Sequence, residues 1–273
     1  MTNANSAGHS TGSTAGTAAN PVSARSKNVS IWRLAYGLYA WLEFTLMGLL
    51  TLFALLLTPG LTRRRAIART LARLALRMAG MPVEFKGPTR LPTPCIVVAN
   101  HCSYIDGVVL TATLPPSFSF VIKREMSRFP LAATLLRRIG SEFVERKDRK
   151  VGARDTRRLL RSAANGRAMA FFPEGTFSNE IGLLRFHIGA FAAAARAHLP
   201  VVPVVIRGTR RTLPADSIWP SPGPIQVEVL SIIPPIPYGD GSQDGDVAVK
   251  LRNAARIQIL KALGEPDLAT DKA

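Results

Sequence analysis

The sequence predicts an α/β fold: a single domain whose largely parallel sheet is flanked by helices, preceded by an N-terminal membrane-binding helical segment. Two observations carry this prediction. From residue 83 onward, short apolar runs with β character alternate with helix-like stretches, the pattern of strands joined by crossover helices. Before that point, the 24 residues 34–57 hold one charged side chain and no proline. The chain of 273 residues is long enough for one sizeable core plus an appendage.

The N-terminal part divides into a tail and a helical segment. Residues 1–28 are rich in Ser, Thr, Gly, Ala and Asn, and they predict a flexible tail because they cannot bury enough apolar surface to offset ordering. Residues 29–80 predict membrane-associating helices. A helix over 34–57 would reach about 36 Å, which exceeds a hydrocarbon core of roughly 30 Å. The aromatic residues that would anchor its start at an interface are Trp32, Tyr36, Tyr39 and Trp41.

How this first helix meets the membrane is left open by its sequence. Its length allows it to span, but Glu43 inside the apolar stretch also allows a hairpin that dips into one leaflet. Six Lys and Arg residues follow the helix closely and three precede it. If the helix spans, this bias places the remaining chain at the cytoplasmic face of the inner or plasma membrane.

The next helical segment carries a stripe of arginines beside an apolar stripe. The arginines recur every four residues, at Arg65, Arg69, Arg73 and Arg77. The apolar stripe consists of Ile67, Leu71, Leu74 and Met78. Such a helix fits a membrane interface, and a solvent-facing helix of a soluble domain would carry the same arginines.

Residues 81–265 predict the α/β domain, and 266–273 a second tail. The predicted strands are 83–85, 95–99, 118–122, 142–144, 168–172, 201–206 and 225–230. The predicted helices within the domain are 107–113, 131–138, 151–164, 188–198 and 246–263. Residues 231–243, rich in Pro, Gly and Ser, predict a loop.

The charge and cysteine content limit the kinds of partner and site. A formal net charge of +17 requires an anionic neighbour: nucleic acid, an anionic membrane surface or phosphate-bearing substrates. Cys95 and Cys102 are the only cysteines, and they have no metal-type spacing. The sequence therefore predicts neither a disulfide framework nor a metal site.

His101 and Asp106 are the most informative pair of residues in the chain. They follow the apolar run 95–99 in a short polar turn, with four residues between them. Histidine exchanges a proton near neutral pH, and a nearby carboxylate can orient the ring and stabilise its protonated form. On this segment alone, a strand end followed by a helix-capping Asp is an equally good interpretation.

Three further polar blocks follow apolar runs in the same way. They lie at residues 140–146, 172–178 and 202–205, after the first block at 100–106. Ligands of α/β sheets bind in the crevice at the carboxyl ends of strands. The four blocks are therefore consistent with one shared cleft.

In these blocks the chain resembles the glycerophospholipid acyltransferase family, of the 1-acylglycerol-3-phosphate O-acyltransferase type. The family's first block is close to Asn-His-x-Ser-x-x-Asp, and residues 100–106 carry the corresponding Asn, His, Ser and Asp. The second block matches at Gly140, Phe143 and Arg146, and the fourth at residues 202–204. The third, Phe-Pro-Glu-Gly-Thr-Arg-Ser in the family, matches except at residue 177. The resemblance covers roughly residues 80–210.

The resemblance implies an activity and a set of site residues. It implies transfer of a fatty acyl group from acyl-CoA or acyl carrier protein to the free hydroxyl of a lysophospholipid, foremost 1-acylglycerol 3-phosphate, to give phosphatidic acid. His101 would be the general base, Asp106 its orienting carboxylate, and Arg146 a ligand of the acceptor phosphate. The other residues that it places in the substrate-binding site are Asn100, Ser103, Glu174, Gly175 and Thr176. The implied partners are membrane lipids, the acceptor and the thioester co-substrate, and no cofactor is implied.

Phe177 is the main departure from the family pattern, because it stands where an arginine is usual. Two interpretations are open. Another cation compensates, the candidates being Arg185, Lys123 and His187. Alternatively, the acceptor headgroup is less anionic, as in a lyso-ornithine lipid or another lysolipid.

Two rival functions follow from other features of the chain. The charge alone would fit a membrane-tethered nucleic-acid-binding protein, but the basic run after Arg146 lacks the interleaved aromatic residues of such a surface, so no nucleic-acid partner is expected. Cys102 beside His101 would fit a thiol nucleophile. A small buried filler is the preferred interpretation of Cys102.

Overall fold

The structure, a computed structural model, describes residues 31–88, 90–145, 149–237 and 244–269. The strands are β1 Val83–Lys86, β2 Ile96–Ala99, β3 Ser119–Lys123, β4 Glu142–Val144, β5 Met169–Phe171, β6 Val201–Arg207 and β7 Ile225–Val229. The helices are α1 Ile31–Leu57, α2 Leu61–Met78, α3 Asp106–Thr113, α4 Pro130–Arg138, α5 Arg149–Ala164, α6 Gly189–Arg196, α7 Thr209–Thr212 and α8 Asp244–Leu263. A 3₁₀ helix covers Arg124–Arg128. The predicted tail 1–28 and the predicted site residue Arg146 lie outside the described residues.

The seven strands form one sheet in the order β1-β7-β6-β2-β5-β3-β4. Strands β2 to β6 run parallel to one another, and β7 with β1 runs in the opposite direction. The carboxyl ends of the neighbouring strands β5, β2 and β6 therefore meet at one edge of the sheet. This architecture confirms the predicted α/β class with a largely parallel sheet.

Helices cover both faces of the sheet, so the side chains on both faces of the central strand β2 are buried. Ile96 and Val98 pack into a cluster formed with α5, α6 and α8. Val97 and Ala99 pack into a second cluster, formed with α2 and α3. All four side chains are fully buried, so the strand is continuously apolar instead of alternating.

Helix α1 packs against the domain along its length. Near its start Gly37 lies against Trp219, and a Cβ on that glycine would be 2.5 Å from a ring atom of Trp219. The indole N–H of Trp41 donates to the Ile218 carbonyl at 2.6 Å. Near its end Leu55 is fully buried in a small cluster with α2.

The opposite side of α1 is an apolar stripe that faces outward. Its exposed members follow helical spacing: Leu38, Leu42, Leu46, Leu49, Phe53 and Leu56. By length and composition α1 is able to cross a membrane. One face of α1 is thus packed on the domain, and the other is apolar and exposed.

Three of the four arginines in the α2 stripe, Arg65, Arg69 and Arg73, donate to backbone carbonyls of the domain, a contact that neither interpretation of the sequence included. Arg73 donates to the Ala112 carbonyl at 2.6 Å, and Arg69 donates to the Thr113 carbonyl at 3.1 Å. These carbonyls lie in the last turn of α3, where cations also interact favourably with the helix dipole. Backbone carbonyls of the domain thus bind both guanidinium groups, although Arg73 as a residue remains exposed.

Arg65 makes the most contacts of this stripe. Its guanidinium donates to the Ile139 carbonyl at 2.8 Å, to the Ser117 carbonyl at 3.0 Å and to the Ser119 hydroxyl. It thus joins α2 to the segments that flank β3 and follow α4.

Arg65→Ala should lower the free energy of unfolding by about 2–4 kcal/mol, because three acceptors lose a charged donor. Arg63→Ala is the matched control, since Arg63 is exposed on the same helix, and it should change stability by less than about 0.5 kcal/mol. Urea unfolding in detergent measures both. Equal effects of the two substitutions would contradict the inward orientation of the stripe.

Candidate active site

The site is built around a buried carboxylate in the turn that joins β2 to α3. Asp106 is fully buried, and its Oδ2 accepts hydrogen bonds from the backbone N–H groups of Cys102 at 2.7 Å and Ser103 at 2.8 Å. The same oxygen lies 2.8 Å from Nδ1 of His101. No side-chain hydrogen bond caps α3, so the helix-capping interpretation of Asp106 is wrong.

His101 is held in one orientation by its surroundings. Its ring stacks on Phe172 with centroids 4.2 Å apart, and Phe177 packs edge-on at 4.5 Å. The imidazole side chain is 18% exposed. Because Nδ1 is committed to Asp106, Nε2 is the ring atom left to exchange a proton with a ligand.

Asn100 and Ser103 hold the turn in place. The Asn100 side chain donates to the Ile206 carbonyl at 2.9 Å and accepts from the Ile206 N–H at 2.7 Å, which ties the end of β2 to β6. The Ser103 hydroxyl donates to the Leu213 carbonyl at 2.7 Å. Both residues are buried. Their predicted contact with substrate stays a prediction, and their hydrogen bonds favour a role in positioning the turn.

Glu174 connects this turn to the loop that follows β5. It is buried, and its Oε1 accepts from the backbone N–H of His101 at 2.7 Å. Its Oε2 accepts from the backbone N–H of Leu184 at 2.9 Å. Burial raises the pKa of the Glu174 carboxyl to about 7, while these two amide hydrogen bonds act in the opposite direction. Both oxygens thus bind backbone, which favours positioning over direct contact with a substrate.

The rest of the third block lies around Glu174 in a tight turn. Gly175 has a φ of +75°, which favours glycine, and its N–H donates to the Phe172 carbonyl at 3.1 Å. Thr176 is exposed. Arg146, the predicted phosphate ligand, lies outside the described residues, so its position relative to His101 is not described.

Cys102 does not have the environment of a nucleophile. Its Sγ lies 3.2 Å from the Thr209 hydroxyl. Burial, helped by the nearby Asp106 carboxylate, raises the pKa of the thiol to about 12. The thiolate is the reactive form, so this thiol is inert near neutral pH, and the structure favours the interpretation of Cys102 as a buried filler.

Three residues near the site were not anticipated from the sequence. Phe172 lies under the imidazole, and Tyr104 packs edge-on against Phe177 with centroids 4.7 Å apart. Arg210, on the short helix after β6, has a charge that lowers the pKa of Glu174. The one sequence feature that could have pointed to Arg210 is its position just after a strand of the parallel sheet.

Comparison with known proteins agrees with this geometry. Residues 82–207 match the family model described as Acyltransferase. The chain contains an acyltransferase-family domain. The matched range holds β1 to β6 and every site residue described above except those on and after α7.

The domain is similar to named relatives in two curated groups. It is 28% identical over 205 residues to a 1-acyl-sn-glycerol-3-phosphate acyltransferase of Saccharomyces cerevisiae, covering 72% of this chain and 66% of that protein. It is 33% identical over 155 residues to Lysophosphatidylcholine acyltransferase 1 of Homo sapiens, covering 55% of this chain and 28% of that protein. The chain thus spans two thirds or less of the length of these two relatives.

A solved structure shows the same fold as the acyltransferase domain and its N-terminal helices. The crystal structure of PlsC, the 1-acyl-sn-glycerophosphate acyltransferase of Thermotoga maritima, superposes with a TM-score of 0.70. The match covers 86% of this chain and 95% of that chain, at 22% sequence identity.

Glu174→Gln should lower kcat about a hundredfold. The side-chain NH2 group of the new glutamine would face a backbone N–H, of either His101 or Leu184, and the two donors would repel each other. The turn that carries His101 would then move. In the parent chain kcat should fall as pH drops below about 7, because protonated Glu174 accepts these hydrogen bonds less well. The variant should lack this component of the pH–rate profile.

The matched control is Glu84→Gln, on the exposed face of the edge strand β1. It should retain the parental kcat and pH profile. A Glu174→Gln variant with parental kcat would show that this carboxylate does not position His101.

Proposed function

We propose that the chain transfers a fatty acyl group from an acyl thioester to the free hydroxyl of a lysophospholipid. The observation that carries the proposal is the contact of 2.8 Å between buried Asp106 and Nδ1 of His101, which leaves Nε2 available as a base. The names of the two curated relatives support the reaction class.

The residues of the site fit direct attack by the lipid hydroxyl. Nε2 of His101 takes the hydroxyl proton as the oxygen attacks the thioester carbonyl carbon. The imidazolium that forms is stabilised by Asp106 and returns the proton to the departing thiolate, so the ester bond forms as the thioester bond breaks. The inert Cys102 thiol fits a mechanism without an acyl-enzyme.

For the acceptor we propose 1-acylglycerol 3-phosphate, which would make the product phosphatidic acid. The name of the yeast relative supports this choice. Of the cations considered for the missing arginine, Arg185 is exposed, and Lys123 pairs with Glu125 at 3.3 Å. Arg146 stays the proposed phosphate ligand.

One observation favours a second class of acceptor: the ring of Phe177, instead of an arginine, packs against the imidazole of His101. A zwitterionic lysolipid, such as lysophosphatidylcholine or a lyso-ornithine lipid, needs less cationic compensation at this position than a phosphate monoester. The name of the human relative supports this alternative.

We also propose where the enzyme works and what donates the acyl group. The exposed apolar stripe of α1 would lie in one leaflet, at the cytoplasmic face of the inner or plasma membrane. The donor would be acyl-CoA or acyl carrier protein, since both carry the thioester that the mechanism requires.

Purified protein in lipid vesicles should acylate 1-acylglycerol 3-phosphate when given acyl-CoA or acyl carrier protein as donor. His101→Ala should lower the rate at least about a hundredfold, because the base is lost. The control, His198→Asn, changes a histidine that precedes β6 at the opposite edge of the sheet, and it should keep the parental rate. Salt-dependent DNA retention without acyl transfer to any lysolipid would contradict the proposal.

Phe177→Arg should raise the kcat/KM ratio for 1-acylglycerol 3-phosphate over lysophosphatidylcholine about tenfold, because a guanidinium would pair with the phosphate monoester. Phe177→Leu keeps the site apolar and should leave that ratio within about twofold. The ratio is measured by competition between the two acceptors in one vesicle preparation. An unchanged ratio in Phe177→Arg would show that residue 177 does not face the headgroup.

A further inference from the structure

The chain after α8 returns to the active-site loop, in contrast to the predicted tail 266–273. The Leu183 N–H donates to the Pro266 carbonyl at 2.9 Å, and the Leu268 N–H donates to the Leu183 carbonyl at 3.1 Å. These two bonds form a short parallel bridge between Leu183 and Asp267. Residues 266–268 are thus paired with the loop that carries Leu183.

Glycine at position 182 makes the close approach possible. A Cβ on Gly182 would lie 2.5 Å from Cγ of Leu268 and 2.8 Å from the Pro266 carbonyl oxygen. Its φ of +147° also disfavours residues with a side chain. The loop and the C-terminal segment are therefore in direct van der Waals contact.

Two arginines fasten the same contact from either side. Arg256 of α8 binds both carboxylate oxygens of Asp267, with Nη1 2.7 Å from Oδ2, and it also donates to the Leu183 carbonyl at 3.2 Å. Arg210 donates to the Glu180 carbonyl at 2.6 Å and to Oε2 of Glu265 at 3.0 Å. Each guanidinium thus joins a carboxylate of the C-terminal segment to a backbone carbonyl of the loop 180–184.

Glu174 connects this loop to the catalytic turn through two hydrogen bonds. Leu184 follows the bridged Leu183 and donates to Oε2 of Glu174, whose other oxygen accepts from the His101 N–H. The contacts therefore run without interruption from the C-terminal segment through the loop and Glu174 to His101.

We propose that residues 265–269 form a C-terminal clasp that positions His101 for acyl transfer, with Glu265 and Asp267 as its positioning residues. The clasp fixes the loop 180–184, the loop fixes one oxygen of Glu174, and Glu174 fixes the backbone of the imidazole turn. This inference rests on the proposed function for its kinetic consequence, but the contacts themselves are testable without activity.

The kinetic test compares one truncated chain and two point variants with the parent protein in lipid vesicles. Truncation after Gly264 removes the clasp, Gly182→Ala pushes it away, and Asp267→Asn weakens its hold on Arg256. We expect kcat to fall about tenfold or more in the first two and by a smaller factor in the third, with KM for the thioester donor within about twofold, because the clasp acts on His101 and not on donor binding.

Two controls separate positioning from general damage. Asp267→Glu should restore most of the kcat lost in Asp267→Asn, because it retains the carboxylate. Arg252→Gln, on α8 one turn before Arg256, should keep the parental kcat, since its guanidinium donates to the neighbouring Asn253 and, among the described residues, makes no bond to the clasp or the loop 180–184.

The pH profile gives a readout that a purely structural role would not move. Loss of the Leu184 hydrogen bond would raise the pKa of Glu174, which also faces Asp106 and Arg210. The acid limb of kcat should therefore shift to higher pH in the truncated chain and in Gly182→Ala. Parental kcat and an unmoved acid limb in both variants would overturn the proposal.

Hydrogen exchange tests the clasp apart from the proposed function. The amides of His101 and Leu184 should exchange at least about tenfold faster in the truncated chain, while the amides of β2 stay protected. If the parent transfers no acyl group, the proposed function fails, and these exchange rates alone decide on the clasp. Unchanged exchange at both amides would overturn it. If the truncated chain loses protection at all its amides, the exchange rates of the His101 and Leu184 amides are measured in Gly182→Ala instead. Faster exchange there supports the clasp, and unchanged exchange overturns it.

Discussion

The buried carboxylate of Asp106 is the interaction on which the active site depends. Removing a carboxylate from water is costly unless hydrogen bonds compensate, and here two turn amides and an imidazole share one oxygen. The amides fix the carboxylate, and the carboxylate then fixes the ring. The proton exchange proposed for Nε2 of His101 depends on these contacts, because they leave Nε2 as the ring nitrogen without a bond to Asp106.

The sheet explains why the remaining parts gather at the same place. Strands β5, β2 and β6 are neighbours with the same direction, so the turns after them adjoin one another at one edge. Asn100 ties the first turn to β6, and Glu174 ties the turn after β5 to His101. The site is thus held by side chain-to-backbone bonds between strand ends, and the clasp extends the same kind of contact to the C-terminus.

The sequence predicted what periodicity and local spacing determine, and missed what tertiary packing determines. All seven strands were found within about two residues of their bounds, and the spacing of His101 and Asp106 pointed to their contact. The rotation of α2 was not predictable, because an arginine stripe fits water, lipid headgroups or backbone carbonyls equally well. The same holds for residues 266–269, because nothing in this short stretch of sequence indicates its contacts with Gly182 and Arg256.

The protonation of the His101 ring tests the central claim most directly. Nitrogen-15 chemical shifts of the neutral ring, assigned with His101→Ala, distinguish its two tautomers. The contact with Asp106 predicts a proton on Nδ1 and a bare Nε2. A ring with its proton mainly on Nε2 would contradict the role assigned to His101 as the base that accepts the lipid hydroxyl proton.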